Sequence, residues 1–80
     1  MQRLEASHRF VIRAMQSGAR HYAVLQAEYG RHFAGGRGNM AAAMFAGVVQ
    51  DLIEWKFVTR AEGSPELSLT EAGERAAVSH

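Results

Sequence analysis

Three histidines, His8, His21 and His32, are the side chains of this 80-residue chain with the most versatile chemistry. They include no i, i+4 pair, and no carboxylate is arranged with them, so their spacing does not build a tetrahedral metal site. The chain has no cysteine, which removes thiolate zinc sites and disulfides together. Glu28 and Glu54 are the candidates for a general acid and base. Such a pair needs a cleft, and a domain this small rarely has one. Ser64 has no base beside it in the sequence. These patterns predict a binding protein rather than an enzyme, with no cofactor and no catalytic residue.

Two stretches could bind an anion. Glycines ahead of a helix expose backbone N–H groups where the helix dipole favours negative charge. Gly35-Gly36-Arg37-Gly38-Asn39 could therefore hold a phosphate with Arg37. The bland alternative is a turn between two helices, which is what glycine clusters usually mark. The spacing matches neither a P-loop nor a dinucleotide fingerprint. Arg60 lies at the end of a strand candidate, ahead of a Gly-Ser-Pro loop, well placed for a phosphate contact. Glu62 and Glu66 follow it, however, so a solvated hairpin is an equal reading.

Composition sets the frame for these residues. A hydrophobic fraction of 48% and a charged fraction of 21% suit one small globular domain over residues 1–80. The apolar run from Met40 to Val49 is too short to span a membrane. With no signal-like N-terminus, a cytoplasmic protein of bacterial or phage origin is expected. The formal net charge of +1 conceals an asymmetry, with +4 in residues 1–40 and −3 in residues 41–80. An arginine-rich half suits a polyanion or an acidic partner, although solvated helix faces give similar imbalances.

Apolar periodicity supplies the elements. Leu4, Val11, Ile12 and Met15 define one face of a helix over residues 4–16, with Arg9 and Arg13 on the other and Ser7 as an internal cap candidate. Ser17-Gly18 ends it. A second helix is expected from about Arg20, with Tyr22, Leu25, Tyr29 and Phe33 on one stripe and Gly30 weakening its end. Asn39 is an N-cap for a third helix over residues 39–55. Its buried face comprises Met44 or Phe45, then Val48, Val49, Leu52, Ile53 and Trp55. Ala42, Ala43, Ala46, Gln50 and Glu54 face outward. Phe57-Val58-Thr59 and Leu67-Ser68-Leu69 are short strands about a turn, and Thr70 caps a last helix.

That order of elements resembles the winged helix-turn-helix family of small prokaryotic and phage regulators. The resemblance rests on residues 52–73. Lys56-Phe57-Val58 is similar to the family's step from recognition helix to strand, with an aromatic for the usual aliphatic. Leu69-Thr70-Glu71-Ala72-Gly73 matches the family's return motif residue for residue. It implies a mainly α fold with a small β-hairpin: three helices, a two-stranded wing and a short C-terminal helix. It also implies that residues 39–55 form the recognition helix, whose N-terminus reads the major groove while the wing touches the DNA backbone.

The resemblance thus implies a DNA-binding transcriptional regulator, and a homodimer of the kind that matches palindromic sites. Arg31, Arg37 and Arg60 would contact phosphates of double-stranded DNA, and Asn39 and Gln50 would reach base edges. The third helix departs from this pattern, because none of its outward residues is basic and its alanines offer little beyond a thymine methyl. The competing expectation is a winged-helix protein-interaction module, such as a phage or mobile-element inhibitor of anti-CRISPR type that engages a host nucleoprotein complex. It would dock through the arginine-bearing half or through the alanine face.

Overall fold

A computed structural model describes residues 4–33, 35 and 38–79, with only the backbone described at residues 38, 39 and 77–79. Among the described residues are four helices and one antiparallel hairpin: α1 (Ala6–Gln16), α2 (Tyr22–Phe33), α3 (Gly38–Glu54), β1 (Val58–Arg60), β2 (Leu67–Leu69) and α4 (Glu71–Ser79). This is a mainly helical, winged-helix-like layout. The elements bury a core of Leu4, Val11, Ile12, Met15, Leu25, Tyr29, Ala41, Phe45, Val48, Val49, Leu52, Val58 and Leu67.

α1 begins later than its apolar stripe. Glu5 rather than Ser7 is its N-cap residue, and the Glu5 N–H donates to His8 Nδ1 at 3.2 Å, the reach-back contact of a capping box. The helix ends in a Schellman motif. Ala19 N–H reaches Ala14 O, Gly18 N–H reaches Met15 O, both at 3.1 Å, and Gly18 takes a φ of 117°. α2 then starts at Tyr22 instead of Arg20, because the two residues before it are used for sheet pairing. Leu67 N–H donates to Arg20 O and Tyr22 N–H to Pro65 O, each at 2.8 Å, and His21 forms an antiparallel bridge with Glu66. His21 Nδ1 also accepts from Ala23 N–H at 3.1 Å, supplying a cap that no serine or aspartate provides.

Gly30 has a role that helix propensity alone does not suggest. It lies inside α2, fully buried, and a Cβ there would meet the Ala41 Cβ of α3 at 2.9 Å. The small pair lets α2 and α3 approach closely. Tyr29 and Phe45 fill the space beside it, with ring centroids 5.6 Å apart. Burial raises the Tyr29 phenol above its ordinary value of 10.0, opposed by a hydrogen bond with Ser7. On α3 it is Phe45 that is buried, while Met44 is 40% exposed. Ala42, expected to face outward, is half-buried, and Ile53 and Trp55 only flank the core. α3 begins at Gly38, so Asn39 sits in its first turn rather than ahead of it.

The join between α3 and the hairpin is a second Schellman motif. Phe57 N–H donates to Leu52 O at 2.9 Å and Lys56 N–H to Ile53 O at 3.1 Å. Here the left-handed position, φ 67°, belongs to Lys56, not glycine. β1 starts one residue later than the apolar run and pairs Val58 with Leu69, Thr59 with Ser68 and Arg60 with Leu67. Ser64 N–H bonds Ala61 O at 3.0 Å to close the turn between them.

The return motif locks onto this join. Thr70 N–H donates to Phe57 O at 3.0 Å, and Thr70 Oγ1 donates to Lys56 O at 2.6 Å. The same hydroxyl accepts from Gly73 N–H at 3.0 Å, so Thr70 caps α4 while holding the wing closed. Gly73 is buried against Phe57; a Cβ there would collide with the Phe57 carbonyl oxygen and crowd Leu69 Cδ2 at 3.2 Å. Gly73→Ala is therefore expected to cost about 1–3 kcal/mol by forced displacement. Lys56→Gly should instead stabilise by about 0.5–1 kcal/mol, the left-handed strain less glycine's extra chain entropy. Urea midpoints at unchanged slope would read both, and equal midpoints for the two variants would contradict this account of the join.

Candidate nucleic-acid interface

Because Phe45, Val48, Val49 and Leu52 turn inward, α3 must present its opposite side to solvent. That side comprises Met40, Ala43, Met44, Ala46, Gly47, Gln50 and Glu54. Met40 and Met44 are 50% and 40% exposed, which leaves an apolar, low-relief strip along the first half of the described side chains. No cation lies among the described side chains of α3. Gln50 Nε2 donates to Glu54 Oε1 at 3.2 Å, one turn along the helix. This exposed pair can open readily for another partner, since i, i+4 contacts contribute only about 0.2–0.5 kcal/mol.

Asp51, whose carboxylate would repel phosphate if it faced a duplex, is turned toward α1. Its Oδ2 lies 3.1 Å from His8 Nε2. His8 Nδ1 already accepts from the Glu5 N–H, so Nε2 is the nitrogen that carries the proton and donates to Asp51. The buried imidazole also lies 4.8 Å from the Trp55 ring. His8 is thus a structural tie between α1 and the end of α3. Its two nitrogens are both engaged, and among the described residues no group of three His, Cys, Asp or Glu side chains could hold a metal.

The wing places Arg60 beside α2. Arg60 Nε donates to Ser64 O across the hairpin at 3.2 Å, and the guanidinium carbon stands 5.0 Å from the centre of the Tyr22 ring. Tyr22 in turn meets Phe45 edge-on, with centroids 4.9 Å apart. An exposed cation is thereby oriented by an aromatic face and still keeps donors free for a phosphate. Glu62 and Glu66 are also exposed in the hairpin, so the wing stays acidic overall.

Of the five candidate contact residues, Gln50 is on the exposed face of α3 and Arg60 is in the wing, while Arg37 and the Asn39 side chain lie outside the described residues. Arg31 lines a surface depression with Phe10, Glu28 and His32, on the α1 side of α2. Helical periodicity places Arg31 on an outer face, but only the packing of α1 against α2 determines which outer face. Sequence reasoning missed two functional supports, the Tyr22 platform under Arg60 and the third sheet segment at His21. The first joins residues 38 positions apart and leaves no local trace. The second is a single bridge, too short for an alternating pattern.

Comparison with protein-family models, with curated proteins and with solved structures finds no match for this chain. Among the described residues, no helix is long and apolar enough to cross a membrane.

The Asp51–His8 tie has a direct test. Asp51→Ala leaves a buried imidazole N–H without its acceptor and should cost about 1–3 kcal/mol. Asp51→Asn keeps an oxygen acceptor and should retain most of that stability. Equal losses in denaturant melts would show that charge, not the hydrogen bond, is the operative term.

Proposed function

We propose that this chain is a small winged helix-turn-helix protein that binds duplex DNA, with α3 laid against the major groove and the wing beside it. The observation that supports this most is the solvent-exposed face of α3 from Met40 to Gln50, flanked by a hairpin whose position is fixed at both ends. The reading draws on fold-level analogy for the choice of ligand. The residues assigned to it are Arg37 and Arg60 for phosphates, Asn39 and Gln50 for base edges. Arg31 is left out of the set because it lines the α1–α2 side.

The chemistry of α3 limits what such binding achieves. Alanine, glycine and methionine side chains contact thymine methyls and allow close approach, but they supply no bidentate hydrogen bonds. Gln50 can read adenine once it leaves Glu54. The proposed mode is therefore weak and only mildly selective, with few released counterions. A second reading is favoured by the exposed Met40 and Met44, which suit an apolar protein contact as well as a groove wall. In that reading the scaffold is a protein-docking module of the inhibitor kind, and α3 meets a partner instead of bases.

Anisotropy of labelled random-sequence duplex, titrated with protein across salt, separates the two. DNA binding predicts micromolar affinity near ~50 mM salt and a log–log slope of about −2 to −3, reflecting few phosphate contacts. Arg37→Ala and Arg60→Ala should each flatten that slope by about one unit, while Arg31→Ala leaves it unchanged. No signal at low salt and tens of micromolar protein would remove the DNA reading and leave the protein-docking one.

A further inference from the structure

Three described arginines of the basic half, Arg9, Arg13 and Arg31, line depressions on the α1–α2 side. α1 and α2 diverge to leave an open groove of about 580 Å³, lined among others by Arg9, Phe10, Arg13, Glu28 and His32. A shallower depression of about 360 Å³ continues it past Phe10, Glu28 and His32 to Arg31. The floor is aromatic. The Phe10 ring stacks on His32 at 4.7 Å and 19°, and meets Phe33 edge-on at 5.4 Å. Arg13 and Arg31 are exposed, and Arg9 is half-buried with Nη1 donating to Leu4 O at 2.8 Å. Among the described residues the guanidinium–carboxylate pair within 4.0 Å is Arg75–Glu71, so none of the three groove arginines is in such a pair.

We propose that this groove is a docking site for an acidic peptide segment of a partner protein, with one large apolar side chain seated on Phe10 and His32. Three arginines against the single Glu28 give the rim a net charge of +2 with His32 neutral, which complements a segment rich in aspartate and glutamate. Guanidinium groups suit carboxylates because their planar fork matches two oxygens at once. Glu28 lines both depressions and can accept a backbone N–H from a peptide. A duplex presents convex phosphate ridges, which do not enter a concave space between two helices. This site stands independently of whether α3 meets DNA.

The test uses the whole chain and a labelled peptide in which one leucine is flanked by glutamates, with a second peptide in which glutamine replaces every glutamate. The acidic peptide should bind, and the glutamine peptide should bind at least about tenfold more weakly, the effect of losing roughly 1.4 kcal/mol of charge complementarity. Arg13→Glu with Arg31→Glu should weaken the acidic peptide by at least the same factor. Both sites are exposed, so an unchanged circular-dichroism melt would confirm that the variant is folded. Arg20→Glu with Lys56→Glu alters the net charge equally at positions outside the groove and should change binding less than about twofold. Absence of binding at about millimolar peptide, equal binding of the two peptides, or equal weakening by both double variants would overturn the proposal. Displacement of the peptide by random duplex DNA, with the same sensitivity to Arg13→Glu and Arg31→Glu, would also overturn it by making the groove a nucleic-acid surface.

Discussion

The closure of Thr70 and Gly73 on Lys56 and Phe57 is the constraint from which the rest of the molecule follows. α3 has to stop, reverse into β1 and leave its last carbonyls satisfied. The Schellman motif at Lys56 does the first two, and the Thr70 hydroxyl takes up the Lys56 carbonyl. Gly73 then brings α4 into contact with the Phe57 backbone, at a separation no side chain permits. This explains the leucine, threonine, glutamate and glycine of the return motif. Leucine pairs with Val58, threonine bridges strand and helix, glutamate meets the positive end of the α4 dipole, and glycine makes the close contact. With that corner closed, the wing is held at a fixed distance from α3, and the chain before α2 can complete its edge through Arg20 and His21.

A second set of contacts allocates the charges. Asp51 turns from the exposed side of α3 toward His8, and His8 holds the start of α1 through Glu5. Arg9 and Arg13 line the groove on the α2 side of α1, and Arg31 lines the depression next to it. Arg60, which comes from the acidic half of the sequence, stands apart from them in the wing, steadied by Tyr22. Two surfaces result, one apolar and nearly neutral, one basic with an aromatic floor.

Local chemistry alone determines much of this fold. Helical periodicity identifies Val11, Ile12, Met15, Leu25, Tyr29, Val48, Val49 and Leu52 as buried, because a 3.6-residue repeat needs no partner to be read. The alternation of Leu67-Ser68-Leu69 and the Thr70 cap on the Gly73 N–H are equally local, since each depends on residues within a few positions. The mainly helical layout with a small hairpin follows from those pieces in order. What only the tertiary structure decides is everything that joins distant positions. Gly30 reads as a weak point until Ala41 is seen against it, and His21 reads as a helix residue until Glu66 pairs with it. Asp51 has no partner to be read in the sequence, and His8 reaches it from 43 residues away. Arg31 and Arg60 read as one set until the packing of α1 on α2 draws the first away. Periodicity specifies which side of an element is buried, whereas the identity of the neighbour on the exposed side depends on the angles at which helices cross, and no local repeat encodes those.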